Sequence, residues 1–271
     1  MLCVALYLLC GLCVKKKCNI ILFLFLFFSS DSFSQNPVIT SHRGAADFAP
    51  ENTLLSVQKA LEAGAKRIEI DVRLTCDTVL VLMHDKKLNR TTNCRGNVYR
   101  KKYPEIIDCN AGFDQKIPIL ADVLKLIDGK AMLVIDIKKG GTLFEKTLTD
   151  EIRKYNASSW CALTSFKIKV LKRIYLLDTS LAIHRSFIGK IPFIPVYFGT
   201  NVFVGGLKKY IFINEFNFNN MFITKHLVKK VHAMNRKINA WTVDKKKKCK
   251  KLQKKGVDGI ITNNPLILQE E

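Results

Sequence analysis

Seven polar residues suit chemistry by type and lie in otherwise apolar surroundings. His42 and Arg43 directly follow a β-rich run, and Glu69 and Asp71 lie two apart in a second run. Because strand side chains alternate, that pair points to one side. His84 ends a third run, and Asp136 and Lys138, again two apart, close a fourth. Two imidazoles can take and give protons near neutral pH. Three carboxylates gathered in apolar surroundings are costly unless something cationic neutralises them. One divalent ion held by oxygens does so, and carboxylates without cysteine favour Mg²⁺ or Ca²⁺ over Zn²⁺. Taken singly, each residue has a duller reading. An Asp near a strand end is ordinarily a cap or a turn residue, and Glu69 has Arg67 and Arg73 as available surface partners. Their joint arrival at one place is the stronger signal.

The elements that must position them alternate. Strand-like runs fall at 38–41, 67–72, 132–137, 160–165, 180–184, 211–214, 237–242 and 258–262. Helical stretches fall at 53–63, 119–128, 142–155, 166–176, 224–235 and 244–255. Alternation of this kind predicts a parallel sheet with crossover helices, and eight strands predict an α/β fold of the closed (β/α)₈ TIM type. In that fold, active-site groups sit at the C-terminal ends of the strands, where these residues fall. The stretch 186–210 is irregular, broken by Pro192, Pro195 and Gly205–Gly206.

One run does not fit a simple barrel. Val79 to Met83 follows the second strand too closely for a parallel crossover, so it is expected to return as a hairpin. A turn centred on Cys76 and Asp77 then brings His84 roughly opposite Glu69, to within about two residues of register.

At these residues the chain resembles the glycerophosphodiester phosphodiesterase family. Residues 42–53 read HRGAADFAPENT, 68–75 read IEIDVRLT and 83–92 read MHDKKLNRTT. IPILADVL (117–124), LTSF (163–166), AWTV (240–243) and GVDGIITNNP (256–265) follow in family order. The resemblance implies hydrolysis of a glycerophosphodiester to glycerol 3-phosphate and an alcohol. It implies His42 and His84 as the acid–base pair, Glu69, Asp71 and Asp136 as ligands of one divalent cation, Mg²⁺ or Ca²⁺, and Arg43 and Lys138 as phosphate binders. Trp241 is expected to line the mouth against the glycerol carbons, with plain core packing as its alternative. The implied first step is attack by the substrate's own hydroxyl to give a cyclic phosphate; direct attack by water stays open. Gly44, Pro50, Asn52 and Thr53 read as turn and helix-cap residues, with Glu51 either structural or touching the site. Arg90, Thr91 and Thr92 are expected to hold the loop after His84. His226 and His232 read as exposed helix residues, and His184 is ambiguous. Two departures from the family pattern stand out. Asp136 replaces the usual Glu of a Glu-Ile-Lys run, and Asp77–Thr78 replaces an Asp-Gly turn.

The rest of the composition bounds the context. The 271 residues carry a net charge of +21, which favours anionic partners without choosing among them. No nucleic-acid motif with fixed spacing is present, so no specific nucleic-acid partner is expected. The Lys245–Lys255 run reads as the solvated face of a helix, with weak contact to an anionic membrane surface as the alternative. Residues 1–34 read as a leader ahead of a barrel domain, 35–271: Lys15, Lys16 and Lys17, an apolar core from Ile20 to Phe28, then small and polar residues. Export with cleavage after Ser34 is the expectation. The further apolar stretch Met1–Val14 leaves a membrane anchor as the alternative. Of nine cysteines, four lie in the leader, and Cys94 with Cys109 form a possible loop disulfide in an exported chain. Two competing functions remain: a phospholipase- or sphingomyelinase-D-like enzyme of the same barrel class acting on membrane lipid, and a relative that binds diesters without turnover. The oligomeric state is not encoded in any of these features.

Overall fold

The computed structural model describes residues 36–187 and 204–269. The leader and the middle of the irregular stretch lie outside them. Strand β1 (Val38–Ser41) is followed by helix α1 (Leu54–Glu62), then β2 (Arg67–Leu74) and β3 (Leu80–Leu82). After α2 (Leu120–Ile127) come β4 (Met132–Ile137), α3 (Thr142–Lys154), β5 (Cys161–Ser165), α4 (Ile168–Leu177) and β6 (Ala182–Phe187). The chain ends with β7 (Glu215–Asn219), α5 (Lys225–His232), β8 (Lys237–Trp241), α6 (Lys246–Gln253) and β9 (Gly259–Thr262). All strands except β3 pair in parallel, and β1 bonds to both β9 and β2, so eight strands close into a ring. This is the expected TIM-type barrel, with β3 outside the ring as the antiparallel return of β2.

Local chemistry explains the element ends. Thr53 caps α1 through a reciprocal pair: the Ser56 N–H donates to the Thr53 hydroxyl and the Thr53 N–H donates to the Ser56 hydroxyl, each at 3.1 Å. Gly44 has φ +84°, and a Cβ there would lie 2.2 Å from the Ser56 hydroxyl oxygen, so the chain can pass under α1 only without a side chain. In α6, Cys249 and Leu252 face the core while Lys247, Lys250 and Lys251 stay exposed, which is the solvated helix face read from the lysine run.

One strand needs correction. The sixth expected run, 211–214, is displaced: the strand at that place, β7, forms at Glu215–Asn219. Ile211–Phe212–Ile213 imitates a strand by composition, yet Ile211 is 78% exposed. The true strand alternates. Phe216 and Phe218 join the aromatic group around Phe187, whereas Glu215 and Asn217 bond to polar side chains of more distant strands, Arg67 on β2 and Thr164 on β5. A barrel with a polar interior reverses the usual hydropathy signal there.

The β2–β3 turn keeps the backbone shape that a glycine would have supplied: Thr78 itself adopts φ +66°. The Thr75 hydroxyl accepts from the Val79 N–H at 2.9 Å and donates to Asp77 at 2.6 Å, which holds the turn closed. Met83 N–H bonds to Asp71 O at 2.9 Å, so the register differs by one residue from that expected for His84 and lies inside the anticipated range. Beyond His84 the chain folds over a second apolar cluster, including Val81, Leu88, Val98 and Ile106. A Cys94–Cys109 disulfide, Cα–Cα 5.7 Å, staples this segment.

Candidate active site

The β2–β4 register places Asp71 beside Asp136 on adjacent strands, and Glu69 lies on the same side of β2 as Asp71. One carboxylate oxygen from each of the three comes within 4.8 Å of the others, so the shorter Asp136 still reaches the group. All three are buried, Asp71 completely. Lys138 bonds to Asp136 and lies 2.6 Å from Asp71 Oδ1, while Arg43 Nε lies 3.4 Å from Asp71 Oδ2. The Arg43 backbone N–H donates to Glu69 at 2.9 Å.

Three carboxylates against two cations leave a surplus negative charge in a dry place. Burial, then the neighbouring Asp71 charge, pushes the Glu69 carboxyl well above its ordinary range. Burial likewise raises Asp136. Burial also opposes ionisation of Asp71, but Lys138, His84 and Arg43 overcome it and hold that carboxyl low. Asp136 Oδ1 has no hydrogen-bond partner among the described residues. A buried acceptor left open costs about 1–3 kcal/mol. An all-oxygen set with excess negative charge and an open acceptor fits a hard divalent cation.

The two histidines are tethered alike. His42 Nδ1 lies 2.7 Å from Asn263 Oδ1, and Asn263 in turn donates its amide N–H to Asp244 at 2.9 Å. His84 Nδ1 lies 2.6 Å from Asp85 Oδ1. Both partners are acceptors, so each ring carries its proton on Nδ1 and keeps Nε2 for other work. His42 Nε2 lies 3.9 Å from Glu69 Oε2. Burial first, and then the Arg43 charge, lowers the His42 pKa. Asp85 also accepts from Arg90 Nε at 2.7 Å, Arg90 grips Glu51 through two N–H groups at 2.7 and 2.9 Å, and Glu51 accepts from Arg43 at 3.0 Å. The Arg90 hydrogen bond, joined by His84, holds the Asp85 carboxyl far below its usual range. One chain of charges thus links the segment after β1 to the segment after β3.

His42, Arg43, Glu69, His84, Asp136, Lys138 and Trp241 line one cavity of about 260 Å³. Asp71 is fully buried and is not part of that lining. Trp241 packs edge-to-face on Phe166, centroids 5.6 Å apart, and donates its indole N–H to Asn217 O at 3.2 Å. Its half-buried ring lines the cavity. The other histidines lie elsewhere: His184 is buried against Glu215, and His232 bonds to Asp258.

Sequence reading missed four supports: Asn52, Asp85, Asn263 and Asp244. Asn52, read as a cap residue, instead adopts φ +58° and clamps Asp71, donating to its carboxylate at 2.8 Å and accepting its N–H at 2.9 Å. Asparagine tolerates that backbone region better than most residues. Asn52, Asp85 and Asn263 stand inside or beside the motif blocks, which was the available signal.

A closed barrel with imidazoles, carboxylates and cations gathered at the C-terminal strand ends is the arrangement of a barrel enzyme. Residues 42–267 match the glycerophosphoryl diester phosphodiesterase family, and the chain belongs to it. It is 33% identical over 240 residues to a glycerophosphodiester phosphodiesterase of Caldanaerobacter subterraneus, covering 84% of this chain and 94% of that one. Its fold is similar to a putative glycerophosphoryl diester phosphodiesterase from Silicibacter pomeroyi, with TM-score 0.77, 22% identity and coverage of 85% and 91%. It is equally similar to an Oleispira antarctica phosphodiesterase solved with the product sn-glycerol-3-phosphate, with TM-score 0.76, 23% identity and coverage of 88% and 97%.

Proposed function

We propose that this mouth hydrolyses glycerophosphodiesters to glycerol 3-phosphate and an alcohol, with His42 and His84 moving the protons. The observation that carries the reading is the paired tethering of both imidazoles beside one cavity that also holds the carboxylate trio. One ring, free at Nε2, takes the proton of the attacking hydroxyl there, and the other, carrying a second proton on Nε2, gives that proton to the departing alkoxide. Such help is typically worth about 10² to 10⁴ in rate. The nucleophile is the substrate's own glycerol hydroxyl, whose intramolecular attack gains from high effective concentration; it expels the alcohol and leaves a cyclic phosphate, which water then opens to glycerol 3-phosphate while the two rings exchange roles. Arg43 and Lys138 hold phosphate oxygens, and Arg43 can present two N–H groups to two of them. Glu69, Asp71 and Asp136 would hold one divalent cation, Mg²⁺ or Ca²⁺, which when bound neutralises charge on the phosphate. Trp241 and Phe166 form the apolar wall for the glycerol carbons.

Support comes from the family and from the product held by the Oleispira phosphodiesterase, which is the product expected here. The test is release of glycerol 3-phosphate from glycerophosphocholine, with Mg²⁺ or Ca²⁺ and with chelator. Release that chelator stops is expected. No release under any condition would overturn the reading, and release indifferent to chelator would remove the cation from it.

The reading places the enzyme outside the cytoplasm, after cleavage near Gln35. The basic and apolar leader supports this, as does the Cys94–Cys109 disulfide, a bond of oxidising compartments. N-terminal sequencing of natively expressed protein tests it; an intact Met1 in a soluble cytosolic fraction would defeat it.

A further inference from the structure

A second cleft, of about 710 Å³, opens beside the catalytic mouth and shares His84 and Lys138 with it. Its lining is cationic: Arg73, Lys86, Lys87, Lys138, Lys139 and Lys167. The one carboxylate there, Asp85, is already taken by His84 and Arg90. Among the described residues, Lys86, Lys87, Lys139 and Lys167 have no ion-pair partner, and all four are exposed. Lys139 Nζ lies over the Tyr99 ring, 4.3 Å from its centroid.

The backbone carrying these charges is fixed. Lys86 O accepts from the Val98 N–H at 3.0 Å, Lys87 pairs with Asn97, and the Cys94–Cys109 bond closes the same segment. Lys167 precedes α4, with its N–H on the Ser165 hydroxyl at 3.2 Å. A like-charged cluster held together without counter-ions is repulsive by itself, and an anionic ligand relieves it.

Position decides which ligand. The apolar wall of the mouth, Trp241 with Phe166, belongs to the main cavity and is not part of this cleft, which meets the mouth on the His84 side. A diester whose glycerol rests on Trp241 sends its other half over these lysines. A cationic headgroup is repelled there, a neutral one gains little, and an anionic one is attracted.

We propose that the cleft binds a second anionic group on the alcohol half of the diester, so that glycerophosphodiesters with anionic headgroups are the preferred substrates. This rests on the diester-hydrolase reading of the mouth. Lys86, Lys139 and Lys167 set the preference without touching the reacting phosphate. Because they are exposed, the preference weakens as salt rises.

The experiment compares bis(glycerophospho)glycerol, which carries a second phosphate, with glycerophosphocholine, using the wild type and the Lys86→Ala/Lys139→Ala/Lys167→Ala variant. The wild type should show kcat/KM higher for the anionic diester by on the order of tenfold at low salt, a preference that electrostatic complementarity can supply. The variant should lose that preference through KM, while its kcat/KM for glycerophosphocholine stays the same or rises as the repulsion of choline is relieved. Binding of bis(glycerophospho)glycerol is also measured by calorimetry in His42→Ala protein, with and without the lysine changes, where turnover does not interfere; the lysine changes should weaken it. Equal losses on both substrates, unchanged affinity in the His42→Ala background, or loss of anionic-vesicle binding alone would each overturn the proposal. If the wild type releases glycerol 3-phosphate from neither substrate, the hydrolase reading fails, while the calorimetry still decides the cleft.

Discussion

The barrel holds two buried polar clusters built from the same ingredients, one at the mouth and one deeper among the strands. In the deeper one, Arg67 grips Glu215 through two N–H groups at 2.8 and 2.9 Å, Asn239 donates to Glu215 at 2.8 Å and to Asn217 at 2.8 Å, and His184 lies 3.8 Å away. Arg67 meets the one carboxylate, with the exposed Lys237 at 4.0 Å as a second, weaker partner, and both Glu215 oxygens are engaged. Burial opposes ionisation of Glu215, yet His184, Arg67 and Asn239 bring it down to about 2. Burial itself pushes His184 down to about 4, so that ring is neutral at pH 7 and Arg67 supplies the compensating charge. The mouth is different: three carboxylates face two cations, and Asp136 keeps an open oxygen. In the deeper cluster Asn239 Oδ1 is open, but the Glu215 carboxylate is saturated and balanced in charge, so it has nothing left with which to hold a cation. A cluster with surplus charge and an open acceptor is costly in the free protein and gains when a cation arrives. The contrast supports the deeper cluster as structural and the mouth as the proposed place of chemistry.

The sharpest way to break the comparison is at the histidines. His84→Ala, and equally His42→Ala, is expected to lower diester turnover by about 10² to 10⁴ while the melting temperature stays near that of the wild type. Wild-type turnover in His84→Ala would take His84 out of the chemistry. His184→Ala should leave kcat unchanged.

A matched pair of carboxylate changes separates the clusters by stability. Glu215→Gln leaves Arg67 buried without its counter-charge and should cost about 3–5 kcal/mol in chemical denaturation. Asp136→Asn relieves surplus charge, so its stability should match or exceed that of the wild type, while calorimetry shows weaker Mg²⁺ and Ca²⁺ binding. If both variants lose stability equally, the two clusters do not differ as described.

Acid should reach the deeper cluster in a defined window. His184 is lowered to about 4 from an ordinary 6.5, so the unfolded chain binds its proton first. Its contribution is complete above pH 6.5 and fades as the pH falls towards 4. Glu215, lowered to about 2 from 4.5, continues the loss between those values. Stability measured against pH should therefore fall on acidification from pH 6.5, and His184→Asn should flatten the upper part of that slope. An unchanged slope would remove His184 from the acid response.

The smallest effect belongs to the β2–β3 turn. Thr78 sits at φ +66°, a region that disfavours branched side chains by roughly 1–2 kcal/mol. Thr78→Gly is expected to raise stability by under about 1 kcal/mol, since glycine gives back part of the gain as unfolded-state entropy. Its kcat should not change, because His84 is held separately by the Arg73 guanidinium on its carbonyl oxygen. A stability loss would show that the threonine is favoured by contacts of its own.

Much of the fold was legible because its signals are local. Apolar runs of strand length, helical periodicity and caps such as Thr53 are properties of a few neighbouring residues, and together they define eight strands in order. Strand β7, the sixth of those eight, escaped because Glu215, Asn217 and Asn219 face the barrel interior, where the polar deeper cluster inverts the usual pattern. The chemical residues were legible as types: charged groups at the ends of apolar runs, two of them spaced so that they share one face. Tertiary structure alone decided which carboxylate is saturated and which stays open. Arg67, two residues before Glu69 in sequence, spends its charge on Glu215, 148 residues away. Asn263, 221 residues from His42, fixes that ring's tautomer. Sequence lists the charges, but Coulomb and hydrogen-bond energies depend on distance and burial, and only ring closure between β1 and β9 sets those.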